Sequence, residues 1–174
     1  MTLFRSLLFK PISALILYIG YIVSLGFLNT IIDTALGYAV MIWLGLVFYI
    51  YLIVYSCRSI MYASKNQISS IHALLSIALC ALAGVVFFAV NFFYIYQISS
   101  HHFIGHIGAN SFDKFISFLY FSFATFATVG YGDIAAISSL SKILTILEII
   151  YSFFIITVAF SSFGHLKESF RKGK

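Results

Sequence analysis

Apolar runs separated by short polar breaks set the frame of this chain. The runs fall at about Ile12 to Leu28, Leu36 to Tyr55, Ile71 to Ile98 and Leu140 to Leu166. A helical membrane crossing takes roughly 17 to 25 apolar residues at ~1.5 Å each, so all of them are long enough to span. The third overshoots a hydrocarbon core of ~30 Å and is expected to tilt or protrude. Pro11 suits the first turn of a helix, where a missing N–H costs nothing. A cleaved signal peptide with Arg5 and Lys10 as its basic end is the rival reading of the first run, but no small-residue cleavage site follows it. Asn29 to Thr34, with Asp33, reads as a tight turn that pairs the first two runs as a transmembrane hairpin. Arg58 to Ser70, carrying Arg58, Lys65, Asn66 and Gln67, reads as the boundary between an accessory unit, 1–65, and a second unit, 66–174. Within the second unit, helices are predicted over 71–98 and 140–166. Between them, Ser99 to Asn110 reads as a polar loop, and Ser111 as the N-cap of a helix over 111–124 that is too short to span.

Composition agrees with this reading. With 62% hydrophobic and 9% charged residues, a soluble domain is excluded, because too little polar surface exists to cover such a core. The formal charge of +5 forms no contiguous basic patch, which argues against nucleic acid as a partner. Instead, the charge reports topology. Arg5, Lys10, Arg58, Lys65, Lys167, Arg171, Lys172 and Lys174 fall on one side of the predicted spans, and Lys114 and Lys142 on the other. The positive-inside rule then places both termini in the cytoplasm of a multi-pass protein of the cell membrane, plasma or bacterial inner, with lipids around it. Cys57 and Cys80 lack metal-ligand spacing and read as reduced, packed thiols. No nucleophile, metal cluster or carboxylate pair suggests an enzyme or a cofactor.

One stretch departs from the apolar background: Thr125-Phe126-Ala127-Thr128-Val129-Gly130-Tyr131-Gly132-Asp133. Its short leading helix enters and returns on the outer side, and such re-entrant backbone is tolerated only where protein buries it or water lines it. Turning successive carbonyls to one side requires backbone angles that Gly130 and Gly132 accept without a Cβ clash. The helix C-terminus, carrying about half a negative charge, would point at the membrane centre and favour a cation. Thr128 to Gly132 spells TVGYG, the filter loop of potassium channels. On that motif, 71–174 resembles the outer helix, pore helix, filter and inner helix of the tetrameric potassium channel family, over about three fifths of the chain. Leu140 to Glu148 also resembles the start of the inner helix of prokaryotic members. The resemblance implies an all-α membrane fold with four spanning helices and a pore helix per subunit, assembled as a homotetramer. It also implies passive permeation of K+, bound by Thr128, Val129, Gly130, Tyr131 and, at the outer mouth, Gly132.

Several positions differ from the family pattern. Tyr120 and Phe121 stand where many relatives have paired tryptophans, and Ala124 where some have an acidic residue. Tyr120 is therefore the pore-helix side chain left to hydrogen-bond Asp133. Ile134-Ala135-Ala136-Ile137 lacks the usual proline, and Ser152 replaces a hinge glycine. In the family register, Phe153, Ile156, Thr157, Phe160 and Gly164 share the cavity face of the inner helix, with Phe160 a candidate hydrophobic gate or simply a packing residue. His101, His102 and His106 read as solvated loop residues, with zinc binding or acid sensing as the alternative. Glu148 is expected to reach the interface or Lys142. Tyr38, Trp43, Tyr49, Tyr51 and Tyr55 read as interface anchors and packing residues. The alternative function is a non-conducting partner subunit of a larger channel assembly.

Overall fold

The computed structural model describes residues 16, 18–20, 23, 34–65 and 70–172. Most of the first predicted run, the Asn29 to Thr34 turn up to Asp33 and the end of the basic tail lie outside them. Helix α1 spans Thr34–Lys65, α2 Ser70–Ile98, α3 Ser111–Phe126 and α4 Ser139–Lys172. Within α2 and α4, Leu75–Ile98 and Ser139–Phe160 are long and apolar enough to cross a membrane, and Ile42–Arg58 is a shorter apolar stretch in α1.

Helix α2 lies at the centre and packs along α1, α3 and α4. Its buried face carries Phe87, Phe88, Phe92 and Ile95. Phe92 meets Phe103 and Phe121 edge-on, with centroids 5.6 and 5.1 Å away. Between helices in lipid there is no hydrophobic driving force, so close packing must hold them together, and small residues permit it. Gly84 is such a point. A Cβ there would lie 2.1 Å from the Tyr151 ring of α4, whose hydroxyl donates to the Cys80 carbonyl one turn away at 2.8 Å. Near the N-terminal end of the described residues, Tyr18 donates to Asn91 at 2.8 Å and stacks on Phe48.

At the end of α2, a 3-10 turn, Ser100–His102, leads into β1, Phe103–Gly105, which pairs antiparallel with β2, Ile134–Ala136. The register matches Phe103 with Ala136 and Gly105 with Ile134. This ribbon joins the loop before α3 to the segment after it.

Several boundaries differ from the sequence reading. Helix α1 continues through Arg58 to Lys65 because no glycine or proline interrupts it there, and arginine and lysine are good helix formers. Helix α4 passes Gly164 and continues six residues beyond the predicted 166, to Lys172. The cap of α3 is Asn110, not Ser111. Its side chain accepts the Asp113 N–H at 2.8 Å and donates to the Asp113 carboxylate at 2.7 Å, so cap and third helical residue satisfy each other.

Candidate functional site

Helix α3 ends at Phe126, and the chain turns back on it. The N–H of Thr128 donates to Thr125 O at 2.9 Å, and those of Val129 and Gly130 donate to Ala124 O at 2.9 and 3.3 Å. The donors of this strand are thus drawn into the helix end, whose last carbonyls would otherwise lack partners. Beyond the turn, positive φ recurs at every second residue: +57° at Thr128, +55° at Gly130 and +80° at Gly132. Thr128 was not anticipated, since left-handed angles are uncommon outside glycine. No heavy atom lies within 4 Å of a Cβ built on Gly130 or Gly132, so backbone angle and not space restricts these sites within one chain.

Thr128 through Asp133 are all exposed on the single chain, Tyr131 by 68%. Tyr131 stacks on Tyr120 of α3, centroids 6.0 Å apart and planes 9° apart, and Tyr120 interacts electrostatically with Asp133. The residues that follow enter β2, so the ribbon fixes the far end of the strand while α3 fixes the near end.

Helix α4 presents opposite faces. Ser141, Glu148, Tyr151, Ser152 and Ile155 are buried against the rest of the subunit. Ile143, Ile146, Ile150, Phe153, Thr157 and Phe160 are exposed, in steps of three and four along one stripe. Phe153, Thr157 and Phe160 therefore lie together, with Ile156 half-buried on their flank. Thr157 donates to Phe153 O at 2.8 Å, so its hydroxyl is bonded within its own helix. Gly164 is helical, and its surroundings lie outside the described residues.

Glu148 is fully buried and reaches neither the interface nor Lys142. It meets Ser122 of α3, and Ser122 Oγ also lies 2.9 Å from Val85 O of α2. One turn on, Ser152 Oγ donates to Phe126 O at 2.5 Å. Sequence reasoning missed both contacts. A signal existed: Ser141, Thr145, Glu148 and Ser152 recur on one face of an apolar helix, and polar residues in such helices face protein, not lipid.

The histidines separate. His101 and His106 are exposed, while His102 is buried, which corrects its reading as a solvated loop residue. Its Nδ1 lies 2.7 Å from Ser138 Oγ, and its carbonyl accepts from Ser141 Oγ at 2.8 Å and Ile137 N at 3.0 Å. Burial, with His101 adjacent, holds its pKa below the ordinary 6.5. Among the described residues no histidine, cysteine and carboxylate cluster has metal-site geometry. Both cysteines are free, Cys80 buried and Cys57 half-buried.

A family model described as an ion channel matches residues 75–168, just over half of the chain, including α3, the turn, the ribbon and nearly all of α4. No curated protein and no solved structure matches. The chain belongs to this ion channel family, which with its two helices long and apolar enough to cross a membrane supports a passive ion channel function in a membrane protein.

Proposed function

We propose that this ion channel is selective for potassium, and that Thr128, Val129, Gly130, Tyr131 and Gly132 of four copies of the chain form its filter. The observation that carries the reading is the alternation of left-handed backbone at Thr128, Gly130 and Gly132. In a regular strand, successive carbonyls point to opposite sides. Reversing the sense at every second residue turns them to the same side, producing a row of oxygens that can replace a cation's water. The N–H groups of Thr128, Val129 and Gly130 are engaged by α3, and among the described residues no backbone hydrogen bond ends on their carbonyls, which are left to face an ion. The TVGYG sequence selects potassium among monovalent cations.

One chain supplies one row, so a closed cage needs several copies, and fourfold symmetry gives the homotetramer. Exposed apolar stripes support this assembly. Phe112, Ile116, Tyr120 and Phe123 on α3 and Ile143, Ile146 and Ile150 on α4 face away from the subunit's own core, where neighbouring copies would cover them. The cell membrane, four spanning helices and cytoplasmic termini complete the reading. Residues 1–65 form an accessory hairpin, and 66–174 the pore. Tyr120 and Asp133 support the filter from behind, and no cofactor is needed.

The test is reversal potential in planar bilayers containing the purified full-length chain. With potassium on one side and sodium on the other, the reversal potential should be displaced far from zero, in the sense that opposes potassium flow down its gradient. A reversal near zero would overturn potassium selectivity. Absence of any current from correctly assembled protein would instead favour a non-conducting partner subunit.

A further inference from the structure

The contacts around Ser122 do not balance if Glu148 is ionised. Ser122 Oγ lies within hydrogen-bonding distance of two oxygens, Val85 O and Glu148 Oε1. A serine hydroxyl has one hydrogen, and a backbone carbonyl has none to give. If Ser122 donated to a carboxylate, its oxygen would face the Val85 carbonyl at 2.9 Å with no proton between them. If it donated to Val85 O, a carboxylate would face a lone pair. A protonated Glu148 resolves both contacts: Oε1–H donates to Ser122 Oγ, and Ser122 donates to Val85 O.

The surroundings agree. Glu148 has no solvent exposure, Ser122 is its polar partner, and no cation faces it among the described residues. Its Oε2 has no hydrogen-bond partner there. A charge on that oxygen would be buried without compensation, a much greater penalty than leaving a neutral carbonyl oxygen unpaired.

We propose that Glu148 is held as a neutral carboxylic acid and acts as a positioning residue. Its proton closes a relay from α4 through Ser122 of α3 to the backbone of α2. Ser122 lies two residues before Ala124, whose carbonyl takes the N–H groups of Val129 and Gly130. Fixing Ser122 therefore fixes the helix end from which the strand starts. The conducting role assigned to that strand rests on the proposed function; the protonation state of Glu148 does not.

Infrared difference spectra of the full-length channel in lipid, wild type minus E148Q, test the proton directly. The expected result at neutral pH is a carbonyl stretch of a protonated carboxylic acid that is absent from E148Q. Carboxylate bands alone in that difference would overturn the proposal. Single-channel recording tests the positioning role. E148Q keeps an N–H donor for Ser122 and should preserve conducting bursts, whereas E148A should shorten them about tenfold, equivalent to ~1.4 kcal/mol. Equal bursts in E148Q and E148A would overturn the relay. A channel that shows the acid band but does not prefer potassium would refute the selectivity reading and leave this one standing.

Discussion

Ser152 of α4 donates from its hydroxyl to the backbone carbonyl of Phe126, the last residue of α3, at 2.5 Å. Ser152, which stands in place of a hinge glycine, is tied to the end of the helix that carries the candidate filter. Interhelical hydrogen bonds in membrane proteins average about 0.6 and reach about 1.7 kcal/mol. Ser152→Ala should therefore lower the thermal stability of the channel within that range and shorten conducting bursts, with ion preference unchanged. Thermal unfolding in detergent and single-channel recording would check both. Unaltered bursts would mean that the contact is packing alone.

The approach of α2 and α4 at Gly84 allows little freedom. A methyl group there would overlap Tyr151, a buried ring held by its bond to Cys80 O. Gly84→Ala should destabilise the fold by ~1–3 kcal/mol, as overpacking does. Tyr151→Leu in the same chain should recover part of the loss. A single mutant as stable as the wild type would show that the helices can separate without cost.

Gly130→Ala should abolish potassium flux in liposomes. Space is available for the methyl group, so the effect comes from φ of +55°, which costs an L-residue ~1–2 kcal/mol. The added strain would be borne four times around a symmetric pore. Wild-type flux from this variant would remove the carbonyl row from the mechanism.

Phe160 is 71% exposed on the subunit, on the same stripe as Phe153 and Thr157. If four copies converge there, the rings form an apolar constriction that closes by losing water. Phe160→Ala should raise open probability severalfold without altering the potassium-to-sodium ratio. Unchanged gating would assign Phe160 to contacts with lipid or a neighbouring helix.

The contact between His102 and Ser138 should weaken in acid. Ser138 Oγ accepts the Ser141 N–H at 3.1 Å and can donate to a neutral His102 Nδ1, which protonation would convert into a second donor. Because burial lowers the folded pKa, the unfolded chain takes up the proton first as pH falls. The stability from His102 is thus complete above ~6.5 and is lost as pH drops through the lower folded pKa. Between about pH 8 and about pH 5, thermal stability should fall more in the wild type than in His102→Gln. Equal slopes would exclude this histidine.

The membrane character, the apolar helices α2 and α4, the short helix before the turn and the glycines at left-handed positions could all be read from the sequence. Each depends on local properties: the length of an apolar run, or the angles that one residue type tolerates. Helix ends were less legible, because α1 runs on through a polar segment that holds no helix breaker, α4 passes Gly164, and Asn110 and Ser111 are both competent caps. Tertiary structure alone decided the partners. Glu148 has an exposed lysine six residues earlier in sequence, yet it turns toward a serine on another helix, because its face of α4 is the buried one. Likewise, His102 belongs to a polar loop but is buried where the ribbon folds it against Ser138. Sequence spacing determines which side chains share a face. What that face meets depends on how distant segments pack, and no local pattern encodes it.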